Sequence, residues 1–346
     1  MLLLNIRIFP LATMFYTTYA LLKNKTCELQ GGVCSLNTND HQSTCVTLPY
    51  TCGANKVCCK NGMGGKPKDE NRKGTVCYCG QANIPRIVGG EEVKPKNKYP
   101  WMARLSVKLG KFMSSCGGSL INNRFVITSA HCVYDGNKSK YVKPQQVKVI
   151  LADHNRFSTS DDVPGVTRTV PVSRIIPHEN YDHSKFDHDM ALLRLKKQLD
   201  LLAYDEIKPI CLPQREGISY KGYVATAIGW GLMDYSDQSS LPDVLLEVTL
   251  PILSQRKCRR YVPSGFPVKS TMICTGTTAA DVGICLGDSG GPLAVTEGDT
   301  YTLVGMPSAT FDCGQPKTAD VYVRVSKYID WVKDKTRDSK WCSLPP

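Results

Sequence analysis

From residue 87 onward the chain is dominated by short apolar–polar alternations. Trp101, Ala103, Leu105, Val107 and Leu109 fall on a period of two, as do Val147, Val149 and Leu151. A period of two puts alternate side chains on one face of an extended strand, so each run predicts a half-buried β-strand. Turn-forming residues separate the runs. Near the end the pattern changes: Ser326 is placed to cap a helix burying Tyr328, Ile329 and Val332, with Trp331 nearby. Many short strands and one late helix predict a mainly β protein, either barrel or sandwich; periodicity does not choose between them.

The preceding region lacks this pattern. Residues 1–20 carry one early charge, Arg7, then a largely apolar run interrupted by polar residues and closing near Ala20. That run is shorter than the ~20 apolar residues of a membrane span and resembles an export signal, so a secreted, extracellular protein with no transmembrane anchor is expected. Residues 27–59 hold six cysteines: Cys27, Cys34, Cys45, Cys52, Cys58 and Cys59. So short a unit buries too little apolar surface to fold without cross-links, and six cysteines allow fifteen pairings. Residues 60–76 are rich in Gly, Pro and charge, which predicts a flexible, protease-accessible linker within a segment running to residue 86.

The whole chain has 346 residues, 42% of them hydrophobic and 21% charged, the balance of a folded globular protein. Sixteen cysteines indicate a disulfide framework and an oxidising compartment. Zinc is the rival explanation, but histidine is scarce and paired C-x₂-C units are absent. The net charge of +12 includes a lysine cluster at Lys138, Lys140, Lys143 and Lys148. No nucleic-acid motif accompanies it, so nucleic acid is not an expected partner; contact with a polyanion or a membrane surface fits the charge. Asn24 and Asn137 begin acceptor triplets for N-glycosylation, a pattern that also arises by chance.

Chemistry concentrates in three segments. Gly287-Asp288-Ser289-Gly290-Gly291-Pro292 presents a serine among glycines whose backbone N–H groups can approach an oxyanion closely. A serine needs a nearby base, and the base an orienting acid. Thr128-Ser129-Ala130-His131-Cys132 offers the base, and Asp189-Met190-Ala191-Leu192-Leu193 the acid, with Asp187 as an alternative. His154, His178, His183 and His188 lack such context and read as surface groups.

Together and in this order, the segments resemble the trypsin/chymotrypsin family over essentially all of residues 87–346. The resemblance implies two six-stranded antiparallel β-barrels with a C-terminal helix, His131 and Asp189 coming from the first barrel and Ser289 from the second. It also implies a mechanism in which His131 takes the Ser289 proton, Asp189 stabilises the imidazolium, and Ser289 attacks a peptide carbonyl. The N–H groups of Gly287 and Ser289 would hold the oxyanion, and Ser308 would position Asp189. Family disulfides imply the pairs Cys116–Cys132, Cys258–Cys274, Cys285–Cys313 and Cys79–Cys211. A further family bridge is missing, its two positions being Ala225 and Val295. Cys77 and Cys342 remain; they pair by elimination, or either reaches another chain.

Ile84-Pro85-Arg86-Ile87-Val88-Gly89-Gly90 resembles the family's activation site. Cleavage after Arg86 by a protease with basic-residue specificity would free the α-amino group of Ile87 to pair with Asp288. In the substrate pocket, Gly283 stands where trypsins carry an aspartate, the wall reads Ser308-Ala309-Thr310, and Asp320 replaces a usual glycine. An uncharged floor favours a non-tryptic preference, while Asp320 favours a basic substrate residue. Asp153 and the Asp161/Asp162 pair bracket a segment resembling the family's calcium loop, a structural role only; no cofactor is expected for catalysis.

The Cys58-Cys59 doublet resembles the clip domain of arthropod extracellular serine proteases, which implies Cys27–Cys58, Cys34–Cys52 and Cys45–Cys59. The expected protein is a secreted clip-domain serine endopeptidase zymogen in a clotting, melanisation or innate-immunity cascade, acting on protein substrates and met by a serpin-type inhibitor. The alternatives are a noncatalytic homologue acting as a binding cofactor, and a venom or digestive protease.

Overall fold

The computed structural model describes the backbone of residues 32–36, 46–51 and 56–60, together with residues 76–83, 91–237, 239–278 and 283–346. The chain divides into two compact units, Met1–Pro67 and Lys68–Pro346. The first holds three antiparallel strands, β1 (Gly32–Leu36), β2 (Val46–Thr51) and β3 (Lys56–Lys60), with β3 in the middle. The three disulfides expected within 27–59, the Asn24 triplet and the Arg86-Ile87 bond all lie outside the described residues.

The second unit is built on two β-barrels. In the first, β5 (Met102–Leu109), β6 (Phe112–Leu120), β7 (Phe125–Thr128), β10 (Val147–Leu151), β11 (Arg168–Pro177) and β12 (Ala191–Leu195) close on themselves in the order β10-β11-β12-β7-β6-β5. A short hairpin of β8 (Tyr134–Asp135) and β9 (Lys140–Tyr141) stands beside it. The alternation read from the sequence has its cause here: Ala103, Leu105, Val107, Val147, Val149 and Leu151 all point into a sealed core with Trp101 and Phe125. Each Val, Leu or Phe among them withdrawn from water contributes on the order of 1.5–3 kcal/mol.

The second sheet joins β13 (Val224–Gly229), β14 (Leu246–Pro251), β15 (Met272–Thr275), β16 (Leu293–Glu297), β17 (Thr300–Ala309) and β18 (Asp320–Arg324). Its order is β15-β18-β17-β16-β13-β14, with β4 (Glu91–Glu92) added at the β14 edge. A bridge between Ile252, just past β14, and Thr275 of β15 draws the outer strands together into the second barrel-like sheet. Ala225 and Val295 are ladder partners and both fully buried, so apolar packing fills the place of the missing family bridge.

Among the described residues two α-helices complete this unit, α1 (Gln255–Tyr261) and α2 (Ile329–Lys335). The late helix buries Ile329 and Val332, but Ser326 does not cap it. Ser326 lies inside a 3₁₀ turn, Val325–Lys327, fully buried, and Tyr328 occupies the cap position without a side-chain hydrogen bond. Apolar periodicity located the helix; the extra turn before it moved its cap by two residues, from Ser326 to Tyr328. Among the described residues five disulfides join Cys77–Cys342, Cys79–Cys211, Cys116–Cys132, Cys258–Cys274 and Cys285–Cys313. The first two fasten residues 77–79 to this unit, helped by a bridge from Tyr78 to Ser343 and from Gln81 to Thr300. No helix among the described residues is long and apolar enough to cross a membrane.

Candidate active site

Strand pairing brings His131 and Asp189 together. In the β7–β12 ladder Thr128 stands opposite Ala191, so the chain leaving β7 and the chain entering β12 meet at one end of the barrel. His131 sits in the 3₁₀ turn Ala130–Val133 just past β7, and Asp189 two residues before β12. The His131 backbone N–H donates to Asp189 Oδ1 at 2.8 Å, and Nδ1 meets Oδ2 at 2.7 Å. Ser308 of β17 donates its hydroxyl to the same Oδ2 at 2.6 Å. Asp189 is fully buried, so its charge depends on these donors. Asp187 faces elsewhere, held by Lys269 and by the Thr271 hydroxyl at 3.3 Å.

Ser289 arrives from the second barrel, in the loop between Cys285 and β16. Gly117 of β6 donates its N–H to the Ser289 carbonyl at 2.8 Å. The Pro307 carbonyl of β17 accepts from both Gly290 N–H, at 3.1 Å, and the Ser129 hydroxyl, at 2.7 Å, tying the segment before His131 to the serine loop. The Cys132 sulfur lies 3.6 Å from the Ser289 carbonyl oxygen and 3.9 Å from His131 Nε2, so nucleophile backbone and imidazole edge meet around the Cys116–Cys132 bridge. This approach requires glycine: a Cβ on Gly117 would lie 2.7 Å from the Gly291 Cα. Gly287 has φ +105°, a conformation that residues with a Cβ rarely adopt. Among the described residues no protein acceptor takes the N–H of Gly287 or Ser289.

Burial disfavours the charged imidazole of His131, but the Asp189 charge and hydrogen bond outweigh it and raise the pKa above the usual histidine value. An imidazole so oriented, the backbone of Ser289 meeting it around Cys132, and two N–H groups that no described acceptor takes are the parts that acyl transfer uses.

The family model described as Trypsin matches residues 87–332. The chain belongs to the trypsin family. It is 35% identical to human Transmembrane protease serine 5 over 73% of this chain and 52% of that protein. To the Proclotting enzyme of Tachypleus tridentatus it is 33% identical over 75% of this chain and 68% of that protein. To the dog Hepatocyte growth factor activator serine proteases it is 34% identical, over 75% of this chain and 38% of that protein. The chain thus spans about half the length of the human relative and less of the dog one.

Further into this trypsin-family fold, Asp288 turns away from the cleft. Its carboxylate accepts from Gly231 N–H at 2.8 Å and Cys285 N–H at 3.0 Å, packed against Gly229 and Gly231 where no Cβ intervenes. Desolvation nevertheless raises its pKa to about 6. It lines a cavity of about 940 Å³ whose wall includes Leu246 and Glu247, the residues that pair with β4. Glu247 in turn holds Lys98, and both are buried: Nζ lies 2.7 Å from Oε1. Sequence reasoning missed this pair, because neither residue lies in an apolar run that would mark it as interior.

At the pocket, Gly283 leaves space that Asp320 borders: a Cβ there would lie 3.3 Å from Asp320 Oδ2. Asp320 is buried, and the Thr310 hydroxyl donates to its Oδ1 at 2.7 Å. Desolvation raises the Asp320 pKa to about 6, the Thr310 and Ile284 donors opposing it. In the loop resembling a calcium site, Arg104 Nε donates to Asp153 Oδ2 at 2.5 Å and Asp161 accepts Asn155 N–H at 2.8 Å. Among the described residues only Cys116, His131 and Cys132 bring three ligand-type atoms together, and both sulfurs there are in a disulfide. Burial raises the Asp153 pKa despite Arg104, and the neighbouring Asp161 and Asp162 charges add to that rise.

Of the remaining histidines, His183 is exposed and His178 and His188 are half-buried, but His154 is 2% exposed, contrary to the surface reading. Its Nε2 lies 3.1 Å from Glu92, and its carbonyl accepts the Trp230 indole N–H at 2.9 Å. Asn137 is exposed on the 3₁₀ turn Gly136–Lys138.

Proposed function

We propose that the chain is a secreted serine endopeptidase zymogen, made active by cleavage after Arg86. The observation that carries this reading is the hydrogen-bonded series Ser308–Asp189–His131, whose imidazole edge and the Ser289 carbonyl both lie against the Cys132 sulfur. His131 accepts the Ser289 hydroxyl proton as Oγ attacks the carbonyl, the Gly287 and Ser289 N–H groups stabilise the oxyanion, and the imidazolium returns the proton to the leaving amine. Water then hydrolyses the acyl-enzyme by the same route.

Asp288 supplies the switch. Its carboxyl is desolvated with only two backbone donors, so a cation delivered beside it is strongly favoured. Glu91 is tied to Glu247 on the cavity wall and is four residues from Ile87, which gives a freed α-ammonium about 13 Å of chain with which to reach Asp288. The activator is a protease that cuts after arginine. Six cysteines ahead of the linker and the likeness to a Proclotting enzyme support a clip-domain protease of a clotting or immune cascade.

For the substrate residue before the cut, the Thr310–Asp320 hydrogen bond narrows the pocket above Gly283 and favours a non-tryptic preference. A positional peptide library with the cut enzyme tests this; dominant Lys/Arg cleavage that disappears in Asp320→Gly would overturn it. For the reaction itself, an organophosphonate should label Ser289 after cleavage at Arg86 and leave Arg86→Gln protein unlabelled. Absence of labelling in the correctly cut protein would favour a noncatalytic binding cofactor.

A further inference from the structure

Six exposed lysines, Lys108, Lys111, Lys138, Lys140, Lys143 and Lys148, meet on one side of the first barrel. Burial alternates along β5, so Ser106 and Lys108 point outward while Leu105 and Val107 enter the core. Lys148 of β10 stands opposite Ser106 with Val147 and Val149 inward, which makes Lys108 and Lys148 diagonal neighbours on the outer face. The β5–β6 turn carries Lys111, and the Lys138 ammonium lies 3.7 Å from the place of a Cβ on Gly110 in that turn. Lys143 precedes the 3₁₀ turn Pro144–Gln146, whose Gln146 amide donates to the Lys108 carbonyl at 2.7 Å. Lys140 is the ladder partner of Asp135.

From Met102 to Ile150 the sequence holds a single acidic residue, Asp135, and Lys138 occupies it. The other five lysines have no carboxylate partner among the described residues. Within this charge two large apolar side chains stand in solvent, Phe112 at 79% and Met113 at 61% exposure, and Met113 is the ladder partner of Lys108. A cluster of sulfates would pair with the lysines and leave both apolar groups wet. A polypeptide with acidic residues around an apolar side chain covers all of them.

The face is also connected to the site. β6 runs from Phe112 at the hairpin tip to Gly117, whose N–H holds the Ser289 carbonyl. Five residues of strand span about 17 Å. The pocket bordered by Gly283, Thr310 and Asp320 belongs to the second barrel, so a substrate crossing the cleft points its leaving-group side toward β6.

We propose that this face docks an acidic polypeptide segment with an apolar anchor, lying some five or more residues beyond the scissile bond of a protein substrate. The substrate role rests on the endopeptidase reading above; the binding itself does not. The test begins with the intact, uncut chain in an Asn137→Gln background, which keeps any glycan out of the measurement. A fluorescein-labelled peptide of Glu and Asp residues around one Phe is titrated by anisotropy against its Gln/Asn analogue. Exposed charge pairs are individually weak, so several together should give on the order of tenfold tighter binding, lost in Lys108→Glu/Lys148→Glu. The advantage should vanish between about 0.05 and 0.5 M salt as screening shortens. Phe112→Ser/Met113→Ser should weaken the acidic peptide several-fold.

With cut enzyme, a substrate bearing that acidic segment should show about tenfold lower KM at unchanged kcat. Lys108→Glu/Lys148→Glu should remove the difference while turning over a short ester as the wild type does. Equal affinity for the acidic peptide and its neutral analogue would overturn the proposal, as would heparin binding indifferent to Phe112 and Met113 with no peptide binding. Peptide binding by a protein whose Ser289 cannot be labelled would sink the endopeptidase reading and leave the docking surface standing.

Discussion

Burial works against a charge on His131, and the buried Asp189 carboxylate 2.7 Å away works for it; the carboxylate wins and the pKa is raised. Catalysis needs the neutral imidazole, so kcat/KM of the cut enzyme should climb with pH along a limb lying above the ordinary histidine range of about 6.5. Asp189→Asn should remove that shift and lower kcat by roughly 10⁴, measured with a short ester. Asp288 makes a second residue-level prediction, for the uncut chain. Its folded pKa of about 6 exceeds the carboxyl's ordinary 3.8, so the folded state binds more protons than the unfolded state between those values. Stability contributed by the protonated carboxyl is therefore complete below the unfolded pKa and lost as pH rises through about 6. Thermal melts of Arg86→Gln protein should show stability declining from pH 4 to pH 7, by on the order of 2 kcal/mol, with Asp288→Asn removing that part of the slope. An unchanged slope in Asp288→Asn would mean that other groups set it.

Among the elements, the ladder between β7 and β12 explains why His131 and Asp189 meet although they come from distant segments. The Lys98–Glu247 pair does similar work beside β4, holding the chain just after β4 against β14. Removing one member leaves the other buried and unpaired. Glu247→Ala should cost about 3–5 kcal/mol in denaturant unfolding, whereas an apolar replacement of both residues should cost much less. Equal losses in the single and double variants would show that packing, and not charge, sets the cost.

For the whole molecule, Cys77–Cys342 and Cys79–Cys211 join two cysteines that precede Arg86 to two that follow it. Cleavage after Arg86 should therefore leave one band on a non-reducing gel and two after reduction; two bands without reductant would contradict these connections. Much of this architecture was legible in the chain. Alternating apolar positions such as Leu105 and Val149 marked strands because one face of a strand must leave water, and Ser289, His131 and Asp189 stood out because their flanking residues form recognisable local segments. Ser326 and His154 were misread because capping and exposure depend on neighbours that local pattern does not contain. Strand periods, the candidate reacting residues and the cysteines available for cross-linking are local properties and can be read along the chain. The contact of Gly117 with the serine loop, the hydrogen bond from Thr310 to Asp320 beside Gly283, and the sealing together of Lys98 and Glu247 can be read only from the folded protein. Those are contacts between distant segments, set by barrel closure and strand register, and no window of sequence encodes them separately.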